Sequence, residues 1–288
     1  MYEDAQKILN YLPIRRNKAE NDYIEHLWSA FIELEVSELS ARPFCIMPFH
    51  LLFMLAVQYK ILRVSKINPK SCNLFFCGVA GRCKNELLSD QKSVFDIALI
   101  NERTIPEIFQ LVGLDSVGIK SIKNLIDERN DNLAHAKGGI EQKFEEKVDL
   151  YLQAMESIQQ KFKKHNEKMA YNWLDEITES DNFDQFMEYR FLDSNITPSD
   201  FGDVIRTLLH AEKIDFDQWI QVVDKGLEIA FYQTISVLLN IVKNEIDAGK
   251  RFNAIRVLDE NSEIDEEMKK NITKNEKDEE ILELLKTR

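Results

Sequence analysis

The chain has 288 residues, of which 44% are apolar, so it can build one large domain or two ordinary ones around a sizeable core. Glycine (9) and proline (6) are both scarce, and neither a dinucleotide-binding GxGxxG nor a P-loop signature occurs. That leaves no Gly-rich phosphate cradle and argues against an all-β architecture. The net charge of −13 is unevenly placed: residues 1–170 hold 23 basic and 23 acidic side chains, residues 171–288 hold 14 and 27. A neutral first half can accept a polyanion, whereas the acidic second half repels one. This asymmetry predicts two domains, 1–170 and 171–288.

Tyr2 to Leu12 reads as a short amphipathic start, ended by Pro13. Asn21 to Leu39 carries Ile24, Leu27, Trp28, Phe31, Ile32 and Leu34 near the helical period, and Arg42-Pro43 breaks it. His26, beside Trp28, is expected as a satisfied core residue. The longest apolar run, Phe44 to Val57, is fourteen residues and contains Pro48 and His50. A membrane span needs about 20, so Met47 to Val64 is expected as a buried core helix at the centre of a bundle, with no membrane involved.

Cys45, Cys72, Cys77 and Cys83 have spacings that fit neither a CxxC pair nor a zinc ribbon. His50 near Cys45 leaves a metal site open, but buried free thiols are the favoured reading and no metal or cofactor is expected. The sequence has no secretory leader, which points to a reducing cytoplasm. Asn68-Pro69 and Gly78 to Gly81 mark loops, and Asn73 to Phe76 reads as a short strand or a buried turn. Phe95 to Ile100 and Pro106 to Val112 read as short helices.

Val117 to His135 then shows Ile119, Ile122, Leu125, Ile126 and Leu133 along one face, and Gly138-Gly139 closes it as helices often close. Ile140 to about Trp173 is a long charged helix with Phe144, Val148, Leu152, Met155 and Ile158 as its apolar stripe. The first half is therefore predicted to be an α-bundle. In the second half, Asp181–Met187 recurs as Ile214–Ile220, 33 residues on, and Lys250–Ile255 repeats it 36 later. Such spacing suits stacked helical hairpins, or else a coincidence among short amphipathic helices. Phe183, Trp219 and Phe252 are expected as hairpin core, since their acidic neighbours oppose base stacking.

One segment reads as chemistry. The helix ends Arg129, Asn130, Asp131, Asn132, Leu133, Ala134, His135, Ala136, Lys137. Arg129 offers a permanent charge and a fork of donors suited to phosphate. His135 can give and take a proton near neutral pH. Six residues on a helix separate them by about 9 Å of rise and roughly 240°. They meet only if the helix stops at His135 or two copies of it face each other. The same residues also fit an exposed helix terminus, where His135 meets the last carbonyls. Arg206 and His210 share a helix face too, but among acidic surroundings.

On these residues the chain resembles the HEPN family, helical domains whose ribonucleases carry an Arg, four to six residues, then His. Arg129 is followed by Asn130 and His135 preceded by Ala134, as in many members, and the architecture matches over roughly residues 20–170. The resemblance implies a metal-independent endoribonuclease, of toxin or defence type. His135 would move the proton as the RNA 2′-hydroxyl attacks its adjacent phosphate, and Arg129 would stabilise the charge that builds there. Asn130 and Asp131 would orient these groups, and Lys137 and Lys123 would hold the RNA backbone. A homodimer is implied, since such sites are usually assembled from two protomers. Some HEPN toxins carry a Tyr two residues after the His; Lys137 stands there instead, which argues against control by AMPylation. The acidic second half is expected to bind a protein partner or restrain the nuclease. Two other readings stay open: a non-catalytic helical adaptor, and a domain that binds nucleotides without cleaving.

Overall fold

The computed structural model describes residues 3–37, 42–78, 93–129, 144–179, 195–245, 247–264, 266–275 and 281. Every regular element among them is helical, as the scarcity of turn residues predicts. The α-helices are α1 (Lys18–Glu35), α2 (Ile46–Ile67), α3 (Pro69–Gly78), α4 (Val94–Ile97), α5 (Ser116–Arg129), α6 (Phe144–Glu179), α7 (Pro198–Leu209), α8 (Phe216–Asn244), α9 (Ala248–Glu260) and α10 (Glu266–Asn275). Segments Glu3–Tyr11, Arg42–Cys45 and Ile105–Val112 are 3-10 helices. The chain forms two compact units, Met1–Lys168 with Gln185–Asp200, and Met169–Asp184 with Phe201–Arg288.

The first unit is organised around α2. By length and composition α2 could cross a membrane, with a mean hydropathy of 1.2 over its best window, but 89% of that window is buried inside the fold. The remaining elements explain why: α1, α3, α4 and the 3-10 helices Glu3–Tyr11 and Ile105–Val112 all pack on it. Ring contacts join three of the helices. Phe31 of α1 meets Phe49 of α2 at 5.4 Å and Phe144 of α6 at 5.6 Å, and Tyr151 of α6 stands edge-on to Phe53 at 4.9 Å. Such pairs add about 0.5–1.5 kcal/mol each beyond their burial.

Local chemistry sets the boundaries. α1 starts at Lys18, three residues before the expected Asn21, because Asn17 and Glu20 form a reciprocal capping box. The expected strand or turn at Asn73–Phe76 is helix α3 instead. Pro69 fits a helix's first turn, where no N–H is needed, and Cys72 and Phe76, four residues apart, both reach the core. Gly78 is the last residue of that helix, not part of a loop. Cys45 and Cys72 are buried, whereas Cys77 is exposed because it lies on the outer face of α3; Cys83 lies outside the described residues. His26 is exposed, against expectation; Ile24, Phe31 and Glu35 are the buried residues of α1.

In the second unit α8 is broken at Ala230, whose backbone (φ −146°, ψ 64°) leaves the helical region. Thr234 Oγ1 donates to the Ala230 carbonyl at 3.0 Å, and Gly226 allows a close approach, since a Cβ there would lie 2.4 Å from Ile205 Cδ1. α9 packs against α8. Asp215, within the second copy of the internal echo, caps α8, and Asp247, three residues before the third copy begins, caps α9, each accepting a backbone N–H at 2.9 Å. The aromatic that reaches the core in the first of these is Trp219, while Phe216 is exposed. The copy at Asp181–Met187 lies outside the described residues.

Candidate functional site at the end of helix α5

The last three residues of α5, Asp127, Glu128 and Arg129, are successive and therefore point about 100° apart. Each carries an ion pair, two of them to one turn and the third to α6. Asp127 pairs with Arg103 at 2.9 Å and Glu128 with Lys147 of α6 at 2.8 Å. Arg129 donates through Nη2 to the carboxylate of Glu102. Glu102 and Arg103 belong to one tight turn, in which Asn101 accepts from Arg103 N through its side chain and from Thr104 N through its carbonyl, both at 2.9 Å. The turn follows α4, itself fixed by a Ser93–Asp96 capping box. A short loop with two opposite charges is thus clipped onto the end of a helix bearing their complements.

His50 and Tyr151 lie in the same electrostatic neighbourhood. His50 Nδ1 is 2.9 Å from the Tyr151 hydroxyl, and the imidazole is only 1% exposed. Burial first, and the Arg129 charge second, push its pKa from 6.5 down to about 3. It is therefore neutral at physiological pH. Burial, with Glu128 and then Glu102 adding to it and Arg129 opposing, raises Tyr151 well above the ordinary phenol range. His50 Nε2 and Arg129 Nε are both buried without a hydrogen-bond partner.

The Arg129 side chain is 16% exposed and that of Glu102 33%. A cation so held is restricted in orientation by its partner and still reachable from solvent, which suits it to receive an anion in a fixed direction. Lys123, six residues earlier on α5, is paired with Glu107 at 2.6 Å. Asn130, Asp131, His135 and Lys137 lie outside the described residues, so of the expected site only Arg129 and Lys123 are described. Among the described residues no group of three or more His, Cys, Asp or Glu side chains could hold a metal ion. His50 meets Tyr151 through Nδ1 alone.

The sequence had pointed to Arg129 but not to Glu102, Glu128, Lys147, His50 or Tyr151. Glu102 is 27 residues from Arg129, and nothing local to a turn announces such a pairing. Lys147 and Tyr151 did carry a signal, since they stand four apart on one face of α6. At the other end of α5, a cleft of about 340 Å³ opens between Leu114, Val117 and Ser121 and the middle of α6 at Gln153, Ser157 and Lys161. Eleven residues of helix separate Gly118 from Arg129, about 16 Å.

A second polar cluster is wholly buried in the first unit. Asp200 accepts from Lys60 at 2.9 Å, Gln159 at 3.1 Å and Asn166 at 3.2 Å, and from Thr197 through its amide at 3.1 Å and its hydroxyl at 2.8 Å. Arg63 Nη1 lies 3.3 Å from the same carboxylate. Burial works to raise the Asp200 pKa, but Arg63 and Lys60 outweigh it and hold the carboxyl well below its usual range. The cluster fixes Thr197 and Asp200, the cap and first turn of α7, against α2 and α6. No family model, curated protein or solved structure matches the chain.

Proposed function

We propose that the chain is a metal-independent endoribonuclease of the HEPN type, acting as a toxin or defence effector in the cytoplasm. The observation that carries this reading is Arg129 itself. It lies on an amphipathic helix with its side chain paired to Glu102 and still partly exposed, in the half of the sequence that has no net charge. In the reaction His135 takes the proton of the RNA 2′-hydroxyl as that oxygen attacks the adjacent phosphorus. The bond to the 5′-oxygen breaks, that oxygen takes a proton from water, and His135 returns its own to solvent, leaving a 2′,3′-cyclic phosphate and a 5′-hydroxyl end. Arg129 stabilises the charge on the pentacoordinate phosphate, a role worth about 10²–10³ in rate for a single donor elsewhere. Asn130 and Asp131 orient the pair, and Lys137 and Lys123 hold flanking phosphates. Two protomers supply the site, and the acidic half recruits or excludes partners.

The test is growth on expression, joined to analysis of RNA ends. Toxicity abolished by Arg129→Ala and by His135→Ala, with both variants folded, supports the reading. Equal toxicity in all three, or none in any, contradicts it.

One observation favours a second reading, a non-catalytic helical adaptor that acts through dimerisation. The Arg129 fork is met within the chain by Glu102, as it would be at a purely structural helix end. On that reading Arg129→Ala lowers stability and leaves RNA untouched.

A further inference from the structure

Arg129 already holds an anion. Its Nη2 donates to Glu102, a residue on no helix, in a turn whose other charged side chain, Arg103, pairs with Asp127 in a largely exposed contact. A carboxylate facing a guanidinium presents two oxygens sharing one charge, the same pattern a phosphodiester presents. Both side chains of the Arg129–Glu102 pair remain partly exposed, so an incoming anion can reach it without unfolding the core. The carboxylate, moreover, is replaceable at little cost, because exposed or partly exposed pairs are worth about 1 kcal/mol or less.

We propose that Glu102 is a built-in competitor for phosphate at Arg129, so that RNA gains the guanidinium only by displacing the turn Glu102–Thr104. This rests on the reading of Arg129 as a phosphate-binding residue. Glu102 is intramolecular and therefore present at high effective concentration, so a single phosphodiester of equal charge competes poorly with it. A strand offers several phosphates at once, and Arg103, adjacent to Glu102 and mostly exposed, is a second cation for the neighbouring one. The contact thereby selects polymeric RNA over mononucleotides.

The experiment measures binding of a short fluorescent 2′-O-methyl oligouridylate, which lacks the attacking hydroxyl, to the full chain by anisotropy. Glu102→Gln should bind roughly fivefold tighter than wild type, the equivalent of a partly exposed ion pair. Glu33→Gln, at an exposed position of α1, controls for net charge. The gain from Glu102→Gln should exceed that of Glu33→Gln and vanish when Arg129→Ala is added. Equal gains in Glu102→Gln and Glu33→Gln overturn the proposal, as does a gain that survives Arg129→Ala. So does weaker binding, or no binding by wild type and variant alike. If Glu102→Gln does not fold, Glu102→Asp keeps the charge and shortens its reach, and should also bind tighter. The two readings part cleanly. Arg129-dependent cleavage with no Glu102 effect removes the competitor alone, while a Glu102 effect without cleavage of ordinary RNA removes the nuclease.

Discussion

At the scale of single residues, the end of α5 places its charges in pairs and leaves His50 neutral beneath them. The sign of its pH effect follows from the pKa. Between pH 6.5 and about 3 the unfolded chain binds a proton at His50 that the folded chain does not. Stability from this residue is therefore full above pH 6.5 and is lost as pH falls through that window, by up to about 5 kcal/mol. His50→Asn should lose less melting temperature than wild type between about pH 7 and pH 5; equal losses would show that another group titrates there. Arg129 stands out in the sequence as a candidate because phosphate chemistry needs a guanidinium and because Asn130 follows it. Its environment was not legible. Ion pairs such as Arg129–Glu102 depend on where a turn is carried by the fold, and no local spacing encodes that.

At the scale of elements, the helical period revealed α1, α2, α5 and α6, since each sets a stripe of large apolar residues against one core. It failed at α3, where two buried residues in ten give a weak stripe and the flanking Asn-Pro and Gly suggested a loop. It failed also at α7, whose first turn matters through Thr197 and Asp200. An acidic residue three after a Thr is a legible capping box; that the box would be buried against Lys60 and Arg63 was not. Removing the carboxylate leaves two buried cations without their counter-charge. Asp200→Ala should therefore cost about 3–5 kcal/mol in denaturant unfolding. Acid should reach this network later than His50, because a carboxyl held below its usual range keeps its contribution until pH falls beneath the unfolded value near 3.8. A loss below about 1 kcal/mol in Asp200→Ala would mean that the network is not needed for stability.

At the scale of the whole molecule, the charge asymmetry between residues 1–170 and 171–288 was plain from composition, and the all-helical class followed from scarce glycine and proline. The compact units do not follow the charge division alone, because Gln185–Asp200 belongs with the first. That changes how a deletion should be designed. A chain ending after residue 170 lacks Ile196, whose carbonyl accepts from Ile14 N at 2.9 Å, as well as Thr197 and Asp200. It should unfold less cooperatively, and at a lower temperature, than a chain ending after Leu209. Equal melting of the two would show that the segment adds nothing to the first unit. Activity changes on deletion speak to a brake or a recruiter only in the longer of the two.

The most direct test is RNA cleavage by the purified full chain in EDTA. The account predicts fragments ending in 2′,3′-cyclic phosphate, with a rate at least about a hundredfold lower in folded Arg129→Ala and not restored by Arg129→Lys, whose ammonium lacks the fork. Cleavage that persists undiminished in Arg129→Ala, or that stops when EDTA is added to wild type, would contradict it.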